Sequence, residues 1–195
     1  MTTRIPIIPT IIVAAAIATM IALGFWQLDR RGEKEALIAR YSSLARDSGS
    51  IPLPTTENAR LENLYRPATA ICERVVGQNV VGGSNRLGTT GWVQLVDCLD
   101  PDGVPFEAAV GWTVKPAVAP YSGGPINGHI GGARNGTRLI SSGSEPGMMM
   151  LPRPDPRNIP NNHLAYAGQW FFFALTALVI YVLALRRRGR EPKPE

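Results

Sequence analysis

Two stretches of the chain, residues 5–28 and 164–185, run without a charged side chain. Each reaches the length a helix needs to cross a bilayer, about 20 residues. Between them the pattern changes period. Leu37, Tyr41 and Leu44 recur at i, i+4 and i+7 with charges opposite, which predicts an amphipathic helix over 33–46. Ser48-Gly49-Ser50-Ile51-Pro52-Leu53-Pro54 ends it, and a second short helix is expected over 57–64, capped by Thr55 or Thr56. From Pro67 onward apolar alternation predicts strands over 67–75, 90–99, 105–114, 125–133 and 137–141. Asp97-Cys98-Leu99-Asp100-Pro101-Asp102-Gly103 supplies the turn of a hairpin between the second and third of these. Short strands joined by turns point to an antiparallel sheet or small barrel, and the Pro-, Gly- and Ser-rich segment 142–162 reads as an extended connector.

The expected fold class is therefore an α+β membrane protein. Spans over 5–28 and 163–185 bracket a mainly antiparallel β domain over 29–162 with short helices, and a basic tail follows over 186–195. Pro6 and Pro9 limit the first regular helix to a start near Thr10. Small residues at helical spacing, Ala14, Ala18 and Ala22 on one span and Ala167, Ala174, Ala177 and Ala184 on the other, predict the stripes on which the spans pack. Trp26, Tyr166 and Trp170 fit interfacial aromatic belts.

Charge adds an orientation. The net charge is +5, but residues 29–163 hold fourteen Lys and Arg against thirteen Asp and Glu, while the ten residues after Leu185 hold five against two. A nucleic-acid surface needs cations clustered on a folded face, so no nucleic-acid partner is expected. Dense cations directly after a span place that end in the cytoplasm. Two spans then put both termini there and the domain across the membrane, although Arg30, Arg31 and Lys34 after the first span pull the other way. The N-terminal run is longer than a signal-peptide core and lacks a small-x-small cleavage site, so it is expected to be a retained span. The expected location is the bacterial inner membrane with the domain in the periplasm. There Cys72 and Cys98 have two readings, a disulfide or two buried thiols.

Asn161-Asn162-His163 opens the second span after Pro160, placing His163 in its first helical turn. A helix N-terminus and partial desolvation both favour the neutral imidazole, the form that ligates metals. Tyr166, Ala167, Trp170 and Ala174 follow on the same face, so a planar macrocycle is one reading. An interfacial histidine with belt aromatics is the other. Met148-Met149-Met150 alternates faces and reads as packing rather than a copper site, and His129 has no partner at ligand spacing. No nucleophile–base set or paired carboxylates appear, so the chain is not expected to be an enzyme.

Leu23-Gly24-Phe25-Trp26-Gln27-Leu28-Asp29-Arg30 with Lys34 following, then Tyr65-Arg66-Pro67, then Ile159-Pro160-Asn161-Asn162-His163-Leu164-Ala165-Tyr166-Ala167 with Gln169-Trp170-Phe171 resemble the surfeit locus protein family in order and spacing. Val110-Gly111-Trp112 lacks the arginine that this family usually has before its Gly-Trp. The resemblance implies an assembly factor of cytochrome c oxidase that transiently binds haem a and assists its delivery to the catalytic subunit. It implies dealings with the haem a biosynthesis enzymes and with membrane lipid. His163 falls on the proposed iron ligand. Tyr166, Trp170 and Trp26 would then line the macrocycle, with Gln27 and Arg30 at the level of its propionates. The alternatives are a scaffold for an oxidase subunit that binds no haem, and an accessory subunit of a respiratory complex.

Overall fold

The computed structural model describes residues 6–47 and 49–188; Ile5 of the first expected span and residues 189–195 of the basic tail lie outside them. In chain order the elements are α1 (Ile7–Arg46), β1 (Ile51–Pro52), α2 (Glu57–Glu62), β2 (Pro67–Cys72), β3 (Arg74–Ser84), β4 (Thr90–Leu99), β5 (Pro105–Thr113), β6 (Gly124–Ala133), β7 (Gly136–Ser141), a 3₁₀ turn (Pro156–Asn158) and α3 (His163–Arg188). The class is α+β. The chain forms two compact units: a helix pair from the chain up to Leu37 and from Pro160 onward, and a sheet domain over Ile38–Ile159.

In the helix pair, α1 and α3 are both long and apolar enough to cross a membrane. The amphipathic segment expected as a separate helix is the continuation of α1, which runs unbroken for 40 residues. The charges after Leu28, read as a boundary, stitch the junction at helical spacing: Arg30 bonds Glu33 at 2.5 Å and Arg31 bonds Glu35 at 2.7 Å. The helix also starts earlier than Thr10, at Ile7, because a proline in the first turn lacks only an N–H that would have no partner there.

The expected alanine stripe on α1 is not the contact. Ala14, Ala18 and Ala22 are exposed, whereas Val13, Ile17 and Met20 are half-buried and Gly24 is buried. Gly24 sets the rotation: a Cβ there would stand 2.5 Å from the Phe171 ring, so only glycine admits that ring. Met20, Ile17 and Val13 precede it at four, seven and eleven residues and share its face. On α3 the expectation holds for Ala167 and Ala174, 1% and 5% exposed, but not for Ala184. At one end of the seam Tyr181 and Thr10 join their hydroxyls at 2.5 Å.

The sheet domain is a seven-stranded sheet ordered β1-β2-β6-β7-β5-β4-β3. It is mixed rather than mainly antiparallel, because β1–β2 and β5–β7 are parallel. β6 leaves its neighbour in sequence to pair with β2, and β7, returning antiparallel to β6, falls beside β5 in the same direction. The strand expected over 67–75 ends at Cys72, and β3 over Arg74–Ser84 was not anticipated. Its Gly77, Gly82 and Gly83 obscure the alternation, yet it pairs with β4 along its length.

Ala68, Val96, Cys98, Phe106, Ala108, Val110, Ile126, Ile130 and Leu139 share one buried cluster, within which Cys72 and Cys98 are disulfide-bonded. Leu95, Ala109, Trp112 and Leu151 form a second. A bulge opposite Gln94 and Leu95 accounts for both, since an extra residue on β5 reverses the alternation and sends Trp112 to the other cluster from Val110. The buried side chains of Gln94 and Arg60 are tied down. Gln94, fully buried, donates to Ala119 O at 2.6 Å and Gln78 Oε1 at 3.2 Å and accepts from Ala119 N–H. Arg60 donates to Pro54, Thr55 and Pro105 carbonyls. Thr56 caps α2. Tyr65, at φ 71°, donates its N–H to Ile130 O at 2.7 Å, and Arg66 pairs with Asp47 at 2.9 Å, so Tyr65-Arg66-Pro67 fastens the end of α1 to β6.

Candidate functional site at the start of the second long helix

Pro160 cannot donate a backbone hydrogen bond, and Asn162 O accepts the first helical bond, from Tyr166 N–H at 3.2 Å. α3 therefore opens on His163, in the first turn as expected. Gln27 lies three residues after Gly24 on the seam face of α1. It meets His163 across a separation of 136 residues: Nδ1–H donates to Gln27 Oε1 at 2.7 Å. A carboxamide oxygen accepts only, so this bond fixes the proton on Nδ1 and leaves the Nε2 lone pair of the neutral ring available. Metal-ligating histidines are usually oriented this way, by an acceptor on the second nitrogen.

An open cleft of about 220 Å³ adjoins the imidazole, lined by Arg30, Glu33, Lys34, Leu37 and His163. Arg30 is held by Glu33. The structure thus gathers His163, Gln27 and Arg30 at one place and adds Lys34, Glu33 and Leu37, which the sequence reading did not assign to a site. Their signal was present: Lys34 follows Gln27 by seven residues, on one helical face. The three aromatics are not in the cleft lining. Trp26 and Tyr166 are each 52% exposed, and Trp170 stands edge-on to Phe173 at 6.3 Å.

Elsewhere the candidate groups have structural partners. His129 lies half-buried on β6 with Nδ1 3.3 Å from Ser142 Oγ; burial, and then the Arg153 charge, lower its pKa. Met149 forms a bridge with Trp112, Met148 packs over Gly111, and Met150 O accepts from Arg86 N–H, so the three methionines diverge. A larger cleft of about 400 Å³ beside Arg46, Arg153 and Arg157 is committed to the fold. Arg153 caps the end of α1 through Ala45 O, and Arg157 grips Asp155 at 2.7 Å.

No curated protein matches the chain. Residues 14–112, half of the chain, match the SURF1 family; the matched segment runs from the apolar part of α1 through β5 and ends before His163. The chain belongs to the SURF1, or surfeit locus protein, family, which is associated with cytochrome oxidase assembly.

Proposed function

We propose that this chain is a non-enzymatic assembly factor that holds haem a at His163 and assists its delivery to the catalytic subunit of cytochrome c oxidase. It receives the pigment from the haem a biosynthesis enzymes. It does so as a two-pass protein of the bacterial inner membrane, with the domain of residues 29–162 in the periplasm and both termini in the cytoplasm. The observation that carries this reading is the Gln27–His163 hydrogen bond, which engages Nδ1 and leaves Nε2 free of that contact on a ring that lines a cleft. Haem is the cargo, and the neutral imidazole suits its iron. In this reading Trp26, Tyr166 and Trp170, outside the cleft lining, meet the macrocycle beyond the cleft, and Arg30 stays paired with Glu33.

His163→Ala should remove most haem from the purified protein, by pyridine haemochrome assay, while insertion stays intact. His129→Ala should leave haem unchanged. A His163 variant with wild-type haem content would defeat the ligand assignment. A second reading, a scaffold that grips an oxidase subunit and binds no haem, draws support from the cleft lining, which includes none of Trp26, Tyr166 and Trp170. Protein purified without pigment from cells that make haem a, yet still bound to the catalytic subunit, would favour it. Orientation is tested separately: cysteine at Ser122, exposed on its loop, should react with an impermeant thiol reagent in intact spheroplasts. Labelling only after lysis would invert the topology.

A further inference from the structure

Three cations follow one another on α1 beyond the apolar run, and they do not have equal partners. Arg30 has Glu33 three residues on, at 2.5 Å, and Arg31 has Glu35 four residues on, at 2.7 Å. Lys34 has neither. Its helical neighbours at three and four residues are Arg30, Arg31, Leu37 and Ile38, two cations and two aliphatics. Among the described residues no carboxylate lies within ion-pair distance of it. Yet Lys34 is half-buried and lines the cleft with His163. Arg30 and Arg31 are compensated by their glutamates, so Lys34 is the cation of this turn left to meet an anion from outside the helix.

Its placement says where the anion would lie. Lys34 stands seven residues, roughly 10 Å of helix rise, beyond Gln27, on the side of the cleft away from the apolar run. Leu37 gives the cleft an apolar wall, and Glu33, the acid in the lining, is neutralised by Arg30. We propose that Lys34 is the anion-binding residue of this cleft, taking a carboxylate of the ligand whose metal His163 holds. The inference rests on the haem reading. A porphyrin bears its carboxylates on one edge, so His163 and Lys34 would fix both its position and its rotation. Arg30, expected from sequence to make this contact, instead holds Glu33 away from it.

The test uses the full chain in nanodiscs of uncharged lipid, titrated with haemin and with haemin dimethyl ester, which lacks free carboxylates. Lys34→Gln should weaken haemin binding about three- to tenfold, the range for one charge-assisted contact at a partly exposed site. It should leave ester binding at the wild-type level, while Lys34→Arg keeps most haemin affinity. If Lys34→Gln changes neither ligand, or both equally, the assignment is overturned, the latter outcome assigning Lys34 to packing. Failure of the haem reading has a different signature: His163→Ala would then bind both ligands as the wild type does, whatever happens at Lys34.

Discussion

Each of the two units holds one of the chain's two histidines, and they hold them to opposite ends. In the sheet domain, polar groups are consumed by the fold. Arg60 spends its donors on three carbonyls, Gln94 is satisfied by Gln78 and Ala119, and His129 is half-buried with its charged form disfavoured. Among the described residues of the helix pair, Gly24, Ala167 and Ala174 alone are buried. The side-chain hydrogen bonds that join α1 to α3 mark the two ends of the seam, Thr10–Tyr181 and Gln27–His163. The second leaves a nitrogen and a neighbouring ammonium unused. Available chemistry collects where the fold demands least of its polar groups, which is why the helix pair, rather than the larger and better-packed domain, carries the candidate site.

The strongest way to break this division is to unfasten the domain. Removing the Cys72–Cys98 bond opens a loop of sequence separation 26, for which chain entropy predicts a loss of about 3.5 kcal/mol. Chemical denaturation of Cys72→Ala/Cys98→Ala should show that loss. If the site belongs to the helix pair, haem per folded protein should stay near wild type; a parallel fall would show that the domain takes part in binding.

The next test is in the helix pair. Gly24→Leu drives a side chain into the Phe171 ring and should cost up to about 3 kcal/mol of helix association, with Gln27 and His163 drawn apart and haem content reduced. Ala18→Leu, on an exposed face, should do little to either. Equal effects at the two positions would mean the seam lies elsewhere. A smaller loss, about 2 kcal/mol, is expected for Arg60→Met, which strands the carbonyls of Pro54, Thr55 and Pro105. It should appear in the denaturation midpoint of the domain alone.

Much of this was legible in the residues. Apolar runs gave both long helices, turn chemistry gave the β4–β5 hairpin, and Pro160 with two asparagines placed His163 at a helix start. What was not legible has physical causes. Alanine spacing does not fix which face two helices share, because a single glycine opposite a large ring outweighs a row of small residues. Charges after an apolar run mark where that run ends, yet at i+3 and i+4 they also pair along the helix, so the end of the apolar run is not the end of α1. β3 was hidden by its glycines, and the parallel β5–β7 pair depends on where β6 docks, a non-local choice. The Gln27–His163 bond joins residues far apart in the chain, so neither local pattern nor periodicity announces it. The resemblance supplied the histidine, and the structure supplied its partner.

The smallest effect separates the histidines by pH. His129 has a folded-state pKa below its ordinary value of 6.5, through burial first and Arg153 second. Between the two values the unfolded chain binds a proton that the folded domain refuses, so stability rises with pH across that window and levels off above about 6.5. Lowering the pH from 7.5 to 5.5 should therefore weaken the domain slightly, by less than about 1 kcal/mol for a half-buried ring partly screened by solvent. Asp155, held below the usual carboxylate range by hydrogen bonds from Arg157, loses its contribution only at more acid pH, near its ordinary value of 3.8 and below, and does not confuse the window. His129→Gln should flatten the profile, measured as the urea midpoint against pH, and His163→Gln should leave it as in the wild type. A profile that flattens only with the His163 variant would mean that the titrating group of the fold sits in the helix pair, and the division between the two regions would fail.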